Sequence, residues 1–152
     1  MELIKHILWV DDEVNLLKPH IIFLENKGYK VTAAYSGEEA IEKCQKTNYD
    51  LVLMDEMMPG LDGLSTLKII KEKNELIPII MVTKSEEEWL VDEAIAEKID
   101  NYLIKPVNPT QVFIACRKIL DDEKIEKEKN IKQFLSFYQD LQLVDIKNYD
   151  FQ

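Results

Sequence analysis

Four short apolar runs in this chain of 152 residues end on side chains that could do chemistry. Ile7–Val10 ends on Asp11-Asp12. Leu51–Met54 ends on Asp55, before the turn residues Pro59-Gly60 and Asp62-Gly63. Ile79–Val82 ends on Thr83, and Tyr102–Ile104 on Lys105-Pro106. Three carboxylates brought to one point repel, each pair ~4 Å apart costing about 4 kcal/mol at an effective dielectric near 20. A hard divalent cation relieves this. Mg²⁺ suits a site of few carboxylates, a carbonyl, waters and a phosphoryl oxygen. Phosphoryl transfer needs chiefly positioning and charge neutralisation. Asp55 is thus the candidate phosphoryl acceptor, with Lys105 supplying a cation and Thr83 a hydroxyl donor. Singly, each has a plainer reading: a helix cap for Asp11 or Asp12, a strand end for Lys105, β-branched filler for Thr83. The argument lies in their joint placement at strand ends.

The elements that must position them follow from periodicity. Apolar runs of four or five residues are too short for helices and suit strands buried on both faces. Strands are expected at His6–Val10, Tyr29–Ala34, Asp50–Asp55, Ile79–Val82 and Tyr102–Ile104. Between them, apolar residues recur at spacings of three and four. Val14, Leu17, Ile21 and Leu24 mark a first helix from Glu13, with Pro19 inside it at a cost or with a kink. Ser36 caps a second helix, and Glu39 completes a capping box. Leu64, Leu67 and Ile70 mark a third helix. Ser85 caps a fourth, with Glu86, Glu87 and Glu88 in its first turn and Leu90, Ala94 and Ile95 inward. Asn108-Pro109 opens a fifth, lined by Val112, Cys116, Ile119 and Leu120. Strands alternating with helices predict an α/β fold, a doubly wound five-stranded parallel sheet. The more polar second and fifth strands belong at its edges, which gives the order 2-1-3-4-5. Its switch point, between strands one and three, gathers Asp11, Asp12 and Asp55. Residues 1–120 form this domain. From Asp121 a charged run continues the fifth helix, and Ile131, Phe134, Leu135, Tyr138 and Leu141 then repeat at helical spacing. This stripe, within a C-terminal helical extension of residues 121–152, needs a partner surface.

The formal charge of -10 argues against direct nucleic-acid binding, which relies on Lys and Arg against phosphates. Cys44 and Cys116 read as buried free thiols of a reducing compartment. No run is long enough to span a membrane, and the N-terminus lacks a signal-peptide pattern, so a cytoplasmic protein is expected. Trp9 reads as core and Trp89 as surface, Met57-Met58 as packing, and His6 and His20 as structural.

Asp11-Asp12, Asp55 with M-P-G-L-D-G behind it, Thr83, and Tyr102-x-x-Lys105-Pro106 resemble the receiver domain of bacterial two-component response regulators, over about residues 4–120. The resemblance implies a flavodoxin-like, CheY-like switch in which Asp55 receives phosphate from the phosphohistidine of a sensor histidine kinase or phosphotransfer protein. It implies Mg²⁺ held by Asp12, Asp55 and the backbone carbonyl of Met57, with Asp11 acting through water. It also implies Lys105 on the phosphoryl oxygens, before a cis peptide bond. Thr83 and Tyr102 would relay the change to the face of the fourth helix, fifth strand and fifth helix, where a homodimer could form. The opposite charges of the Glu-rich fourth helix and of Arg117 and Lys118 suit such a pairing. I-L-W-V-D-D-E, L-L-K-P-H-I-I-F-L-E and T-K-S-E-E-E resemble a narrower group, the PorX-like regulators, where a helical linker leads to a PglZ domain. The residue after Thr83 departs from the common pattern, being Lys84 rather than a small residue.

Three other readings compete. A haloacid-dehalogenase-type phosphatase wants a second acid where Met57 stands. A pseudo-receiver acting as a constitutive interaction domain is disfavoured by the full acid set. A flavodoxin-like cofactor binder lacks a phosphate-cradling loop after strand one. The leading expectation is a signalling switch, not an enzyme beyond its own phosphoryl transfer.

Overall fold

The computed structural model describes residues 3–84 and 97–148. Its five strands are β1 (His6–Val10), β2 (Lys30–Ala34), β3 (Leu51–Asp55), β4 (Ile79–Thr83) and β5 (Asn101–Ile104). They pair in parallel in the order β2-β1-β3-β4-β5, as the apolar content of the runs predicts. β3 and β4 are buried at every position and β1 at all but His6, whereas β2 and β5 carry exposed residues. The helices are α1 (Lys18–Asn26), α2 (Gly37–Lys46), α3 (Gly63–Lys73), α4 (Pro109–Leu120, the fifth helix of the sequence reading) and α5 (Asp122–Asn148). The fourth helix of that reading, with Ser85, Trp89 and its Glu residues, lies outside the described residues.

The strands' period of two divides the core. Leu8, Val10, Val52, Met54, Ile79 and Met81 face Ala40 of α2 and Leu67 and Ile70 of α3. Ile7, Trp9, Leu51, Leu53 and Ile80 face Leu24 of α1 and Val112 and Cys116 of α4. Each large side chain sealed this way contributes roughly 1.5–3 kcal/mol. Both cysteines are free, and burial pushes the Cys44 thiol up to about 11 and that of Cys116 to about 12. Neither is a nucleophile at neutral pH.

Local chemistry sets the helix ends, and in three places the structure departs from the periodicity. The first helix is not continuous from Glu13. A 3-10 turn, Val14–Leu17, comes first, so Pro19 falls in the first turn of α1. A missing N–H costs little there, because first-turn donors have no intrahelical partner. At α2, the Glu39 backbone N–H donates to Ser36 Oγ (3.1 Å), but the Glu39 carboxylate reaches the N–H of Tyr35 (2.9 Å), one residue before the cap. Finally, the charged run is not a continuation of the fifth helix. The chain bends at Asp121, whose carbonyl accepts the Ile125 N–H (2.9 Å) as the first bond of a new helix.

The chain divides into two compact units, Met1–Leu120 and Asp121–Gln152. In the second, α5 bears Ile131, Phe134, Leu135, Phe137, Tyr138 and Leu141, all exposed. No helix among the described residues is long and apolar enough to cross a membrane.

Candidate functional site

Parallel pairing sets the carboxyl ends of the strands side by side. Val10 lies opposite Met54, Asp55 opposite Val82, and Thr83 opposite Ile104. Asp11, Asp55, Thr83 and Lys105 therefore share one rim of the sheet, as the sequence predicts. Asp11, Asp55 and Thr83 are each no more than 3 % exposed, whereas Asp12 is exposed. One oxygen from each of Asp11, Asp12 and Asp55 lies within 4.8 Å of the others. Lys105 Nζ reaches Asp55 Oδ1 at 3.0 Å and Asp11 Oδ2 at 3.4 Å. Asp11 also does what a lone aspartate there would do: its Oδ1 accepts the Glu13 N–H (2.8 Å) and its carbonyl the Val14 N–H (3.1 Å), starting the 3-10 turn.

Three carboxylates and one ammonium leave the cluster at two net negative charges when all are ionised. The imbalance appears in the pair at its centre. Burial raises the Asp55 pKa, and the charge of Asp11 adds to this. The Lys105 ammonium and the Met57 backbone N–H, both bonded to the carboxylate, oppose the rise without cancelling it. For Lys105, burial acts to lower the pKa, but the bond to Asp55 and the charges of Asp11 and Asp55 outweigh it and hold it above its ordinary value. The pair stabilises the ammonium without fully repaying the burial of the carboxylate. Oxygen-only donors with two uncompensated charges fit a hard divalent cation such as Mg²⁺.

Gly63 makes the rim possible. Its N–H donates to the Glu56 carbonyl (3.0 Å), and a Cβ there would run into the Asp55 carbonyl oxygen. The D-G pair signals a turn, but nothing local in it signals this approach of α3 to β3. Asp62, read from sequence only as part of that turn, caps α3 by accepting the Ser65 N–H (2.7 Å).

The remaining candidates are spread more widely. Met57 is 60 % exposed, consistent with a backbone role and not with the packing role expected of its side chain. Met58, by contrast, is buried in the core. Tyr102 on β5, opposite Met81, is half-buried against the cluster that holds Met54 and Leu67. A cavity of about 480 Å³ opens beside Lys105, lined among others by Leu17, His20, Lys84, Pro106 and Val107.

A family model for the response regulator receiver domain matches residues 7–117. The transcriptional regulatory protein ResD of Bacillus subtilis is 39 % identical over 114 residues, covering 75 % of this chain and 47 % of ResD. PhoP of the same organism, the alkaline phosphatase synthesis transcriptional regulatory protein, is 35 % identical over 123 residues, 80 % of this chain and 50 % of PhoP. The chain thus spans about half the length of the curated relatives it matches. Among solved structures, a CheY-like receiver domain protein of Methanospirillum hungatei aligns with a TM-score of 0.72 at 28 % identity, covering 82 % of this chain and 99 % of that one. TrrA of Thermotoga maritima, solved in complex with Mg(2+)-BeF, aligns at 0.68 and 34 % identity, covering 77 % of this chain and all of that one.

Proposed function

From the premise that this chain belongs to the response regulator receiver family of two-component signalling, we propose that it is a Mg²⁺-dependent phosphorylation switch with Asp55 as the acceptor. The observation that carries this is the buried Asp55 carboxylate, 3.0 Å from Lys105 Nζ and clustered with Asp11 and Asp12. The donor is a phosphohistidine of a sensor kinase or phosphotransfer protein. An Asp55 oxygen attacks phosphorus, the P–N bond breaks, and the imidazole nitrogen leaves with the electron pair and takes a proton. An acyl phosphate remains on Asp55. Lys105 holds the phosphoryl oxygens as they approach the acids. Asp12, Asp55 and the Met57 carbonyl would hold Mg²⁺ directly and Asp11 through water; bound there, the ion supplies charge neutralisation. Thr83, at the end of β4, supplies a hydroxyl to the modified carboxylate, and Tyr102 carries the change outward. Beyond this transfer and its reversal the chain is not an enzyme.

The test is intact mass after incubation with acetyl phosphate and Mg²⁺. One added phosphoryl group is expected. No adduct on a chain that binds Mg²⁺ would return the reading to a constitutive interaction domain.

We hold residues 1–120 as the receiver and 121–152 as a helical extension or the start of a linker. The relatives' length and names support a transcriptional effector, and the narrower resemblance a PglZ-like one. Whether the gene encodes residues after Gln152, and of which kind, separates the two.

Two consequences can be measured. The side chain two residues beyond Asp55 is that of Met57, which has no acid or amide to orient an attacking water, so the acyl phosphate should be long-lived. Met57→Asn should shorten its half-life about tenfold, less than the roughly 10²–10⁴-fold typical of a positioned general base, because an amide orients water without taking its proton. An unchanged or longer half-life rejects this. The basic last turn of α4, with Arg117 and Lys118, and the Glu-rich segment 86–88 suit pairing across a two-fold axis. Sedimentation should show dimers with a phosphoryl mimic bound; monomers with and without it at high concentration count against the pairing.

A further inference from the structure

Lys105 Nζ lies between two acids, and the backbone of Lys105 leads directly into the segment that follows β5. Lys105 itself is tied by its N–H to the Thr83 carbonyl (2.7 Å), and Asn108 caps α4 by accepting the Gln111 N–H (2.8 Å). Between these anchors Pro106 has no N–H to give. Val107 packs against the core cluster that holds Trp9 and Val112, and Pro106 and Val107 also border the cavity described above. Among the described residues, a polar link crosses to it from α1. His20 Nε2, on α1 and 87 positions earlier, lies 2.7 Å from the Val107 carbonyl oxygen.

The chemistry of that link is unambiguous. A carbonyl only accepts, so Nε2 carries the hydrogen. The imidazole stands edge-on to Trp9, with centroids 6.1 Å apart and planes at 88°. Its Nδ1 and the Trp9 Nε1 are both buried without a hydrogen-bond partner among the described residues. Packing against Trp9 therefore sets the angle of the ring, and the one hydrogen bond it makes goes to the segment behind Lys105. Trp9 is itself fully buried in β1, two residues before Asp11. The ring thus spans from a rigid central strand to the Lys105 segment.

We propose that His20 is a positioning residue for Lys105: through the Val107 carbonyl it keeps the ammonium seated between Asp55 and Asp11. The proposal rests on the reading of the pocket given above. It has a signature that general damage would not produce. A seated ammonium competes with Mg²⁺ for the same carboxylates, so unseating it tightens metal binding while slowing phosphoryl uptake. A merely loosened site would weaken both.

The experiment measures Mg²⁺ affinity by calorimetry and acetyl phosphate uptake by intact mass. It uses wild type, His20→Phe, which keeps a ring against Trp9 but no donor, and His20→Gln, which keeps a donor near the Nε2 position. His20→Phe should bind Mg²⁺ about threefold tighter and phosphorylate about tenfold slower, with His20→Gln within about twofold of wild type on both. In a Lys105→Met background His20→Phe should change Mg²⁺ affinity by less than about twofold, since the effects of residues acting through one another do not add. Weaker Mg²⁺ binding by His20→Phe, an unchanged affinity, or the same shift without Lys105 would overturn the role of His20 alone. Failure of the wild type to bind Mg²⁺ or to take up a phosphoryl group would instead overturn the reading of the pocket, and this proposal with it.

Discussion

Asp55→Asn takes up no phosphoryl group from acetyl phosphate under conditions that modify the wild type stoichiometrically, and without Mg²⁺ it unfolds at a higher temperature. The first half follows from nucleophilicity, since the neutral amide offers no carboxylate oxygen to form an acyl phosphate. The second follows from the environment of Asp55. Burial, then the charge of Asp11, raises its pKa above the ordinary 3.8 despite Lys105. Between 3.8 and that raised value the folded chain keeps a proton that the unfolded chain has released. Unfolding free energy therefore falls as pH rises through this window and stays lower above it. Asparagine has nearly the same shape and no charge to bury. The gain in melting temperature should be present at pH 7 and vanish below the ordinary carboxylate pKa. Phosphoryl uptake by Asp55→Asn would move the acceptor elsewhere. A lower melting temperature at pH 7 would mean that the 3.0 Å pair with Lys105 outweighs burial.

Lys105→Met should move two properties in opposite directions. Removal of one preorganised charge from a phosphoryl-transfer site slows the reaction by about 10²-fold. The same removal takes a cation from 3.0 Å and 3.4 Å of two carboxylates that a metal ion would need. Lys105 is 27 % exposed, so its field is partly screened, and Mg²⁺ affinity should rise by about tenfold, the equivalent of ~1.4 kcal/mol. Acetyl phosphate uptake and calorimetry read the two effects. A variant that phosphorylates at the wild-type rate removes Lys105 from the transfer. One that binds Mg²⁺ more weakly makes the lysine a structural support of the acids and not their competitor. The pair also has an alkaline limit. The raised pKa of Lys105 means that its contribution to stability is present below the ordinary 10.5 and is lost as pH rises through the higher folded value.

Much of the site was legible because its parts follow from local pattern. Apolar runs of strand length, each closed by a polar residue, are one-dimensional information. Parallel pairing turns that information into a common rim, so Asp11, Asp55, Thr83 and Lys105 could be named together before any contact was known. Apolar content also sorted central strands from edges, because a central strand is covered on both faces. The helix ends were less legible. Pro19 looked like an interruption until the chain was seen to spend a 3-10 turn before it. The bend at Asp121 separates the charged run from the helix before it, with no Gly or Pro to mark the place.

The sequence by itself determined the order of elements, the strand order and the residue types at the carboxyl rim, because hydrophobic period and parallel connection act over tens of residues. Only the tertiary structure decided how those residues meet. Lys105 reaches Asp11 across 94 positions, and His20 reaches Val107 across 87. The closeness of Gly63 to the Asp55 carbonyl depends on how α3 packs against β3. Such contacts are set by the packing of whole elements against one another, and no local pattern of residues carries that information.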